Sequence, residues 1–97
     1  MERGGCVYIM TSKRNGTLYV GVTARLAERV HEHRTNIDPN SFTAKYGCHQ
    51  LVYYHAFDRV EDAIAEEKRI KGGSRAAKLK LIESMNPQWN DLWNEIV

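Results

Sequence analysis

Hydrophobic and polar positions follow a period of two residues in some segments and a helical period in others. Two strand-like runs flank Asn15-Gly16, a pair that favours a two-residue type I′ hairpin turn. With those residues as the turn, Arg14 pairs with Thr17 and Ser12 with Tyr19. One strand face is then uniformly apolar: Val7, Ile9, Leu18, Val20 and Val22. The other face carries Tyr8, Met10, Ser12, Tyr19 and Gly21, so the hairpin leaves both tyrosines outside the apolar face.

The rest of the chain predicts helices around one further strand. A helix runs from about Ala24 to Asn36, with Thr23 as N-cap and an apolar stripe of Leu26, Val30 and Ile37. The stretch "DPNSFTAKYG" is a loop with room for one helical turn, and "HQLVYYHAF" is the third strand. Two more helices follow, one from an Asp58 cap to Lys71, ended by Gly72-Gly73, and one from a Ser74 cap to about Met85. Pro87 starts a last segment in which Trp89, Leu92, Trp93 and Ile96 fall at helical spacing.

This order predicts an α/β (α+β) fold: a small three-stranded antiparallel or mixed sheet flanked by helices, in the order β-β-α-β-α-α. Ninety-seven residues suit one domain over 1–97 with one modest core. The apolar runs are too short to span a membrane, and the N-terminus has no secretory pattern. Two cysteines without that pattern favour a cytoplasmic protein with reduced thiols.

Glu67 occupies a position where its helix favours an apolar side chain. It lies three or four residues from Ala63, Ile64 and Ile70, which with Val60 mark the buried stripe. An ionised carboxylate without a partner is costly to bury. A metal ion or a cationic cluster would compensate that cost, and a salt bridge at the edge of the core is the simpler alternative.

Basic residues recur every four positions on the first predicted helix. Arg25, Arg29 and His33 share one stripe beside the apolar one. Taken alone they form a solvated helix face with Glu28 and Glu32 as partners. Together with Tyr8, Tyr19 and Glu67 they require a common explanation.

This ordered set resembles the GIY-YIG nuclease domain over nearly the whole chain. The first motif is Cys6-Val7-Tyr8, with cysteine in place of the family's glycine, and the second is Tyr19-Val20-Gly21. The helix arginine of the family matches Arg29, the position four residues on matches His33, and the metal-binding glutamate matches Glu67. The segments "KYG", "LVYY" and "NPQWNDLW" look like the stand-alone, single-domain bacterial members. A late asparagine of some branches matches either Asn86 or Asn90.

The resemblance implies hydrolysis of DNA phosphodiester bonds with one divalent ion, Mg²⁺ or Mn²⁺, held by Glu67. Arg29 would stabilise the phosphate charge. Tyr8 would take the proton of the attacking water or relay it, with Tyr19 and His33 orienting the network, and the choice of Tyr8 over Tyr19 as base is left open. Cations nearby are expected to lower the pKa of the tyrosine that acts as base. Gly21 would let the backbone approach the phosphate.

Basic residues outside that set are candidates for contacts with the DNA backbone. The stretch from Lys68 to Lys80 holds six Lys or Arg and no acid, and a solvated helix face is its alternative reading. With Gly21, the candidate substrate-binding residues are Arg25, Lys68, Lys71 and Arg75. No appended recognition domain is visible in the sequence, which favours a structured or damaged DNA over a fixed site. No obligate protein partner can be inferred.

Three other interpretations compete. The first is a nucleic-acid-binding domain of this fold with little or no activity, in which Glu67 is structural. The second is a zinc site from Cys48, His49, His31 and His33, which the spacing disfavours because His31 and His33 point about 200° apart on a helix. The third is a protein-interaction surface around Trp89 and Trp93, whose spacing instead favours a place in the core.

Overall fold

A computed structural model describes residues 4–97 of the chain. Three strands form one antiparallel sheet: β1 (Gly5–Thr11), β2 (Leu18–Thr23) and β3 (Gln50–Phe57). The spatial order is β2-β1-β3, so β1 is central and both other strands are edges. The helices are α1 (Leu26–Arg34), α2 (Phe42–Tyr46), α3 (Val60–Lys71), α4 (Arg75–Met85) and α5 (Trp93–Ile96). The predicted α+β class and element order are confirmed.

The hairpin register differs from the prediction by two residues. Tyr8 is opposite Gly21 and Met10 is opposite Tyr19, and the loop between the strands is longer than two residues. Within it the amide of Gly16 donates to the carbonyl of Lys13 at 2.8 Å, and Asn15 alone takes a positive φ of 59°. The two-residue type I′ turn was therefore wrong. A shift of two residues keeps every side chain on its face, because strand side chains alternate with a period of two.

Both faces of the sheet are covered, so the expectation of one core was wrong. On one face Val7, Ile9 and Val20 pack with Ile70 of α3 and Ile82 of α4. On the other face Tyr8 and Met10 pack with Val30 of α1 and with Leu92. The second strand face is thus a second core, in which Tyr8 is an integral member, 1% exposed.

Several predicted details of the helices were also wrong. Thr23 and Asp58 are not the N-caps, since α1 starts after Arg25 and α3 after Arg59. The side chain of Thr23 instead accepts from the amide of Arg25 at 3.0 Å. Ile37 and Ile64 are 70% and 38% exposed and belong to no buried stripe. Ser74 does cap α4, because its side chain accepts from the amide of Ala77.

The C-terminal segment is not one continuous helix. Trp89 has a positive φ of 55° and is buried in the α3–α4 core. Leu92 is buried in the opposite core, and only Trp93–Ile96 is helical. The segment therefore crosses from one sheet face to the other, which a helical period in the sequence does not reveal.

Candidate active site

Four side chains from three elements converge on the α1 face of the sheet, and we call them the tyrosine cluster: Tyr8, Tyr19, Arg29 and His33. The ring centroids of Tyr8 and Tyr19 are 6.2 Å apart, and those of Tyr19 and His33 are 5.3 Å apart. The face assignment from the hairpin brings the two phenols together. Arg29 and His33 join them because residues four apart lie on the same side of a helix.

Gly21 provides the space in which the ring of Tyr8 lies. A Cβ atom at position 21 would come within 2.5 Å of both Cζ and the phenol oxygen of Tyr8. Contacts that short do not occur between unstrained atoms, so any larger residue would displace the ring. The second motif's glycine is thus explained by the packing of the first motif's tyrosine.

His33 is the buried centre of a hydrogen-bonded chain. Its Nε2 lies 2.9 Å from the Tyr8 phenol, and its Nδ1 lies 2.8 Å from Oγ1 of Thr43. That hydroxyl in turn lies 3.2 Å from Oγ of Ser41. Thr43 is 1% exposed, and sequence reasoning missed it because it falls in a segment predicted as a loop.

Burial keeps the side chains of this hydrogen-bonded network neutral. It lowers the pKa of His33 to about 4, and the neighbouring Arg29 charge adds to the effect while Glu32 opposes it. A neutral imidazole has one donor and one acceptor nitrogen, so it can bridge Tyr8 and Thr43.

The pKa of Tyr8 moves opposite to the sequence-based expectation for a base. Burial is the main cause and raises that pKa above its ordinary value, and Tyr19 raises it further. Arg29 lowers it by its charge and by hydrogen bonding, with a smaller effect than burial. Tyr8 is therefore a neutral phenol at ordinary pH.

A cleft of about 290 Å³ opens beside the cluster, where β2 ends and α1 begins. It is lined by Thr23, Ala24, Arg25, Glu28, Arg29 and Glu32. Arg29 donates to Glu32 at 2.7 Å and Arg25 to Glu28 at 3.3 Å, the pairing expected of a solvated helix face. Both pairs are exposed, so an entering anion could displace the glutamates at small cost.

Glu67 is not part of the tyrosine cluster. Its helix α3 packs on the opposite face of the sheet, where Ile70 contacts the core of Val7 and Ile9. The Glu67 side chain is 13% exposed, and its Oε2 lies 2.9 Å from Nζ of Lys71. The two tyrosines, Arg29 and His33 therefore lie together, whereas the ion-pair partner of Glu67 is Lys71 of its own helix. A shared hollow that includes Glu67 stays a prediction.

The candidate substrate-binding cations lie in different surroundings. Arg25 lines the cleft, Lys68 is exposed, and Lys71 pairs with Glu67. Arg75 donates to the carbonyls of Asn15 and Gly16 at 2.7 and 2.8 Å, so it joins α4 to the hairpin loop.

The two candidate asparagines belong to a turn. Asn86 is 4% exposed, and its Nδ2 donates to the carbonyls of Val52 and Asn90. Its Oδ1 accepts from the amide of Asn90 at 3.0 Å. Both polar atoms of the Asn86 side chain are therefore hydrogen-bonded to the backbone of the fold.

The residues of the alternative zinc site have separate partners. The Cys48 thiol is buried and donates to the carbonyl of Thr17, and His49 bonds Asn36. His31 stacks on Trp93. Within residues 4–97 no group of three or more His, Cys, Asp or Glu side chains is arranged to hold a metal ion. Trp89 is buried and Trp93 is partly buried, so both contribute to a core, although they do not lie on the one helix that their spacing predicted.

The described part of the chain contains no helix with the length and apolar character needed to cross a bilayer.

Comparisons with known proteins identify a family for this chain. The model of the GIY-YIG catalytic domain matches residues 4–80. A UPF0213 protein of Oceanobacillus iheyensis is 36% identical over 83 residues, which cover 86% of this chain and 94% of that relative. A UPF0213 protein of Staphylococcus saprophyticus is 37% identical over 76 residues, covering 78% and 90%. The solution NMR structure of a UPF0213 protein from Bacillus halodurans is similar with a TM-score of 0.57 and 26% identity, covering 91% and 92%.

Proposed function

Because the chain belongs to the GIY-YIG family, we propose that it is a divalent-metal-dependent DNA endonuclease that selects its substrate by structure or damage. The observation that supports this most is the convergence of Tyr8, Tyr19, His33 and Arg29 beside a cleft that arginines line. A phosphodiester is an anion that gains charge on attack, and such a cleft is suited to bind it.

Arg29 is the residue that meets the phosphate. Its side chain lines the cleft and is 44% exposed, so its guanidinium can exchange Glu32 for a phosphate oxygen. Bidentate donation from a guanidinium stabilises the negative charge that develops on the equatorial oxygens. Arg25 adds positive charge at the cleft rim.

Tyr19 is the better candidate than Tyr8 to accept the proton of the attacking water. Tyr8 is buried, its pKa is raised, and its phenol is hydrogen-bonded to His33. Tyr19 is only partly buried, and its ring lies beside His33 and Phe42. Tyr8 and His33 then position Tyr19 and stay neutral.

Glu67 fits a site for one Mg²⁺ or Mn²⁺ ion. Its carboxylate is sheltered but accessible, and Mg²⁺ commonly binds one or two protein carboxylates and completes its shell with waters and substrate phosphates. Lys71 is 52% exposed and can swing away into water. When bound, the ion supplies positive charge to the phosphate and lowers the pKa of coordinated water. The ring of His33 on α1 lies 5.3 Å from that of Tyr19 on the edge strand β2, and α3 also packs against β2. We therefore infer that the substrate phosphate docks at this edge.

The test is nicking of supercoiled plasmid and of branched DNA with Mg²⁺ or Mn²⁺. We expect Arg29→Lys and Glu67→Gln to lose about 100-fold or more in rate. Glu66→Gln is the matched control, since it removes the same charge from the adjacent position, where Glu66 pairs with Arg69 at 2.7 Å. Equal rates in wild type, Arg29→Lys and Glu67→Gln would mean that another nuclease causes the nicking.

The second candidate is a nucleic-acid-binding domain with little or no catalytic activity. It is favoured by the Glu67–Lys71 ion pair, which satisfies the acid without a metal. This candidate predicts DNA binding that neither Mn²⁺ nor Glu67→Gln alters, and no nicking above the control level. The endonuclease predicts metal-dependent turnover that Glu67→Gln removes.

A further inference from the structure

Helix α2 exposes two large aromatic rings side by side. Phe42 is 45% exposed and Tyr46 is 48% exposed, and their ring centroids are 4.7 Å apart. They lie one turn apart on the outer side of the helix, while Thr43 faces inward to His33. Leaving two adjacent rings in water forgoes the free energy of burying them, and adjacent exposed apolar residues often mark a binding surface. We call Phe42 and Tyr46 the aromatic platform.

The aromatic platform is continuous with the tyrosine cluster. The Phe42 ring lies 5.8 Å from that of Tyr19, and Tyr19 lies 5.3 Å from His33. The row of rings therefore leads from the protein surface to the candidate site of water attack. A ligand lying on the platform has its next group within reach of Tyr19.

The helix that bears the aromatic platform carries one cation and no acid. Helix α2 reads Phe-Thr-Ala-Lys-Tyr, and Nζ of Lys45 lies 5.7 Å from the centroid of the Tyr46 ring. Exposed aromatic rings beside a cation are the combination by which proteins hold unpaired bases and the adjoining phosphate. An apolar protein segment would gain nothing from this cation, so the charge favours a nucleic acid as the occupant.

The platform is held rigidly at both ends. Oγ of Ser41 accepts from the amide of Ala44 at the start of α2. At the end, Gly47 takes a left-handed φ of 67°, and the amide of Cys48 donates to the carbonyl of Thr43 at 2.8 Å. Ordering the rings before binding reduces the entropy lost on association.

We propose that Phe42 and Tyr46 form a stacking surface for unpaired nucleobases next to the scissile phosphate, an inference that rests on the proposed endonuclease function. In the interior of duplex DNA each base face is covered by its neighbours, so away from the helix ends only bases that are unpaired or splayed out can stack on these rings. Stacking does not depend on base identity. The substrate class is therefore a nucleic acid with an unpaired segment of any sequence.

The experiment measures binding of a fluorescein-labelled 15-nucleotide single strand and of the matching blunt duplex by anisotropy, in EDTA. The wild type should bind the single strand more tightly. Phe42→Leu and Tyr46→Leu keep the bulk and remove the aromatic face, so each should raise the single-strand Kd roughly 5- to 100-fold. The duplex Kd should change less than about twofold. The salt dependence should stay the same in both variants, because no charge is removed.

Two controls separate stacking from other effects. Met85→Ala removes an exposed apolar side chain at the end of α4 and should leave both Kd values unchanged. Lys45→Gln should lower the slope of log K against log salt by about one. Single-strand binding by Phe42→Leu and Tyr46→Leu at the wild-type level overturns the proposal, as does a loss that is equal for single strand and duplex.

The EDTA assay distinguishes this proposal from the endonuclease itself. A wild type that never nicks DNA, but binds single strands through Phe42 and Tyr46, contradicts the endonuclease and supports the platform. A wild type that nicks DNA, while both leucine variants bind and cleave normally, contradicts the platform alone.

Discussion

The Tyr8 phenol and Nε2 of His33 lie 2.9 Å apart, joining the central strand to α1 across 25 residues of sequence. Both side chains are buried, at 1% and 5% exposure. A hydrogen bond between buried groups fixes both rings, and losing one partner leaves the other unsatisfied at a cost of about 1–3 kcal/mol. The candidate active site is therefore also a part of the fold's second core.

His33 should make the stability of the protein fall as the pH falls. Its folded-state pKa is about 4, against about 6.5 in an unfolded chain. Between these values the unfolded state binds the extra proton, so stability is lost from pH 6.5 down to 4, by about 3 kcal/mol at most. Urea unfolding at intervals from pH 7 to 4 measures this loss.

His33→Gln is the matching variant for that measurement, because its amide does not titrate. Carboxylates titrate in both proteins, so the difference between the two curves isolates His33. We expect the wild-type curve to fall more steeply by about 2–3 kcal/mol over this range. Parallel curves would contradict a buried neutral imidazole at position 33.

Gly21→Ala should destabilise the protein and disturb the Tyr8–His33 bond. The added Cβ would lie 2.5 Å from Tyr8, and inserting a methyl group into a packed core costs about 1–3 kcal/mol. Gly72→Ala is the control, since Gly72 has a helical φ of −76° and its Cβ would meet nothing closer than 3.4 Å. Denaturant unfolding and near-UV circular dichroism of the tyrosines compare them. A Gly21→Ala variant as stable as Gly72→Ala would contradict the packing of Tyr8 over Gly21.

The faces of the hairpin could be predicted from the sequence, although its turn could not. Alternation places Tyr8, Tyr19 and Gly21 on one face in either register, because the true pairing differs by an even number of residues. The turn itself depends on local hydrogen bonds, such as Gly16 to Lys13, that the Asn-Gly signal does not specify.

Contacts between distant elements were the part that the sequence could not show. The helix period of α3 identifies Glu67 as sheltered, but it does not reveal on which sheet face α3 packs. Thr43 is polar and lies in a five-residue helix, too short for a period, so nothing in the sequence marks it as the partner of His33. Such partners are chosen by tertiary packing.

Arg75 and Lys68 should behave differently although both were candidate DNA contacts. Arg75→Gln removes two hydrogen bonds to the hairpin loop, so we expect a loss of about 1 kcal/mol in unfolding free energy. Lys68→Gln should leave stability unchanged and weaken DNA binding, with a salt slope smaller by about one. Denaturant unfolding and DNA binding at several salt concentrations test both variants. The opposite assignment, with stability lost in Lys68→Gln and only binding lost in Arg75→Gln, would refute this division.

Lys71→Gln discriminates between a metal-binding and a structural Glu67. If Glu67 binds the ion, removing the Lys71 ammonium 2.9 Å away frees the carboxylate, and half-maximal nicking should require several-fold less Mn²⁺. Mn²⁺ should also raise the thermal midpoint of this variant more than that of wild type, because binding to the native state stabilises it.

If Glu67 is structural, Lys71→Gln only lowers stability, by leaving a sheltered carboxylate unpaired. Arg69→Gln is the control, since it frees the neighbouring Glu66 by the same loss of charge. A Lys71→Gln protein that needs as much Mn²⁺ as wild type, and gains no extra stability from it, would remove Glu67 from the catalytic proposal.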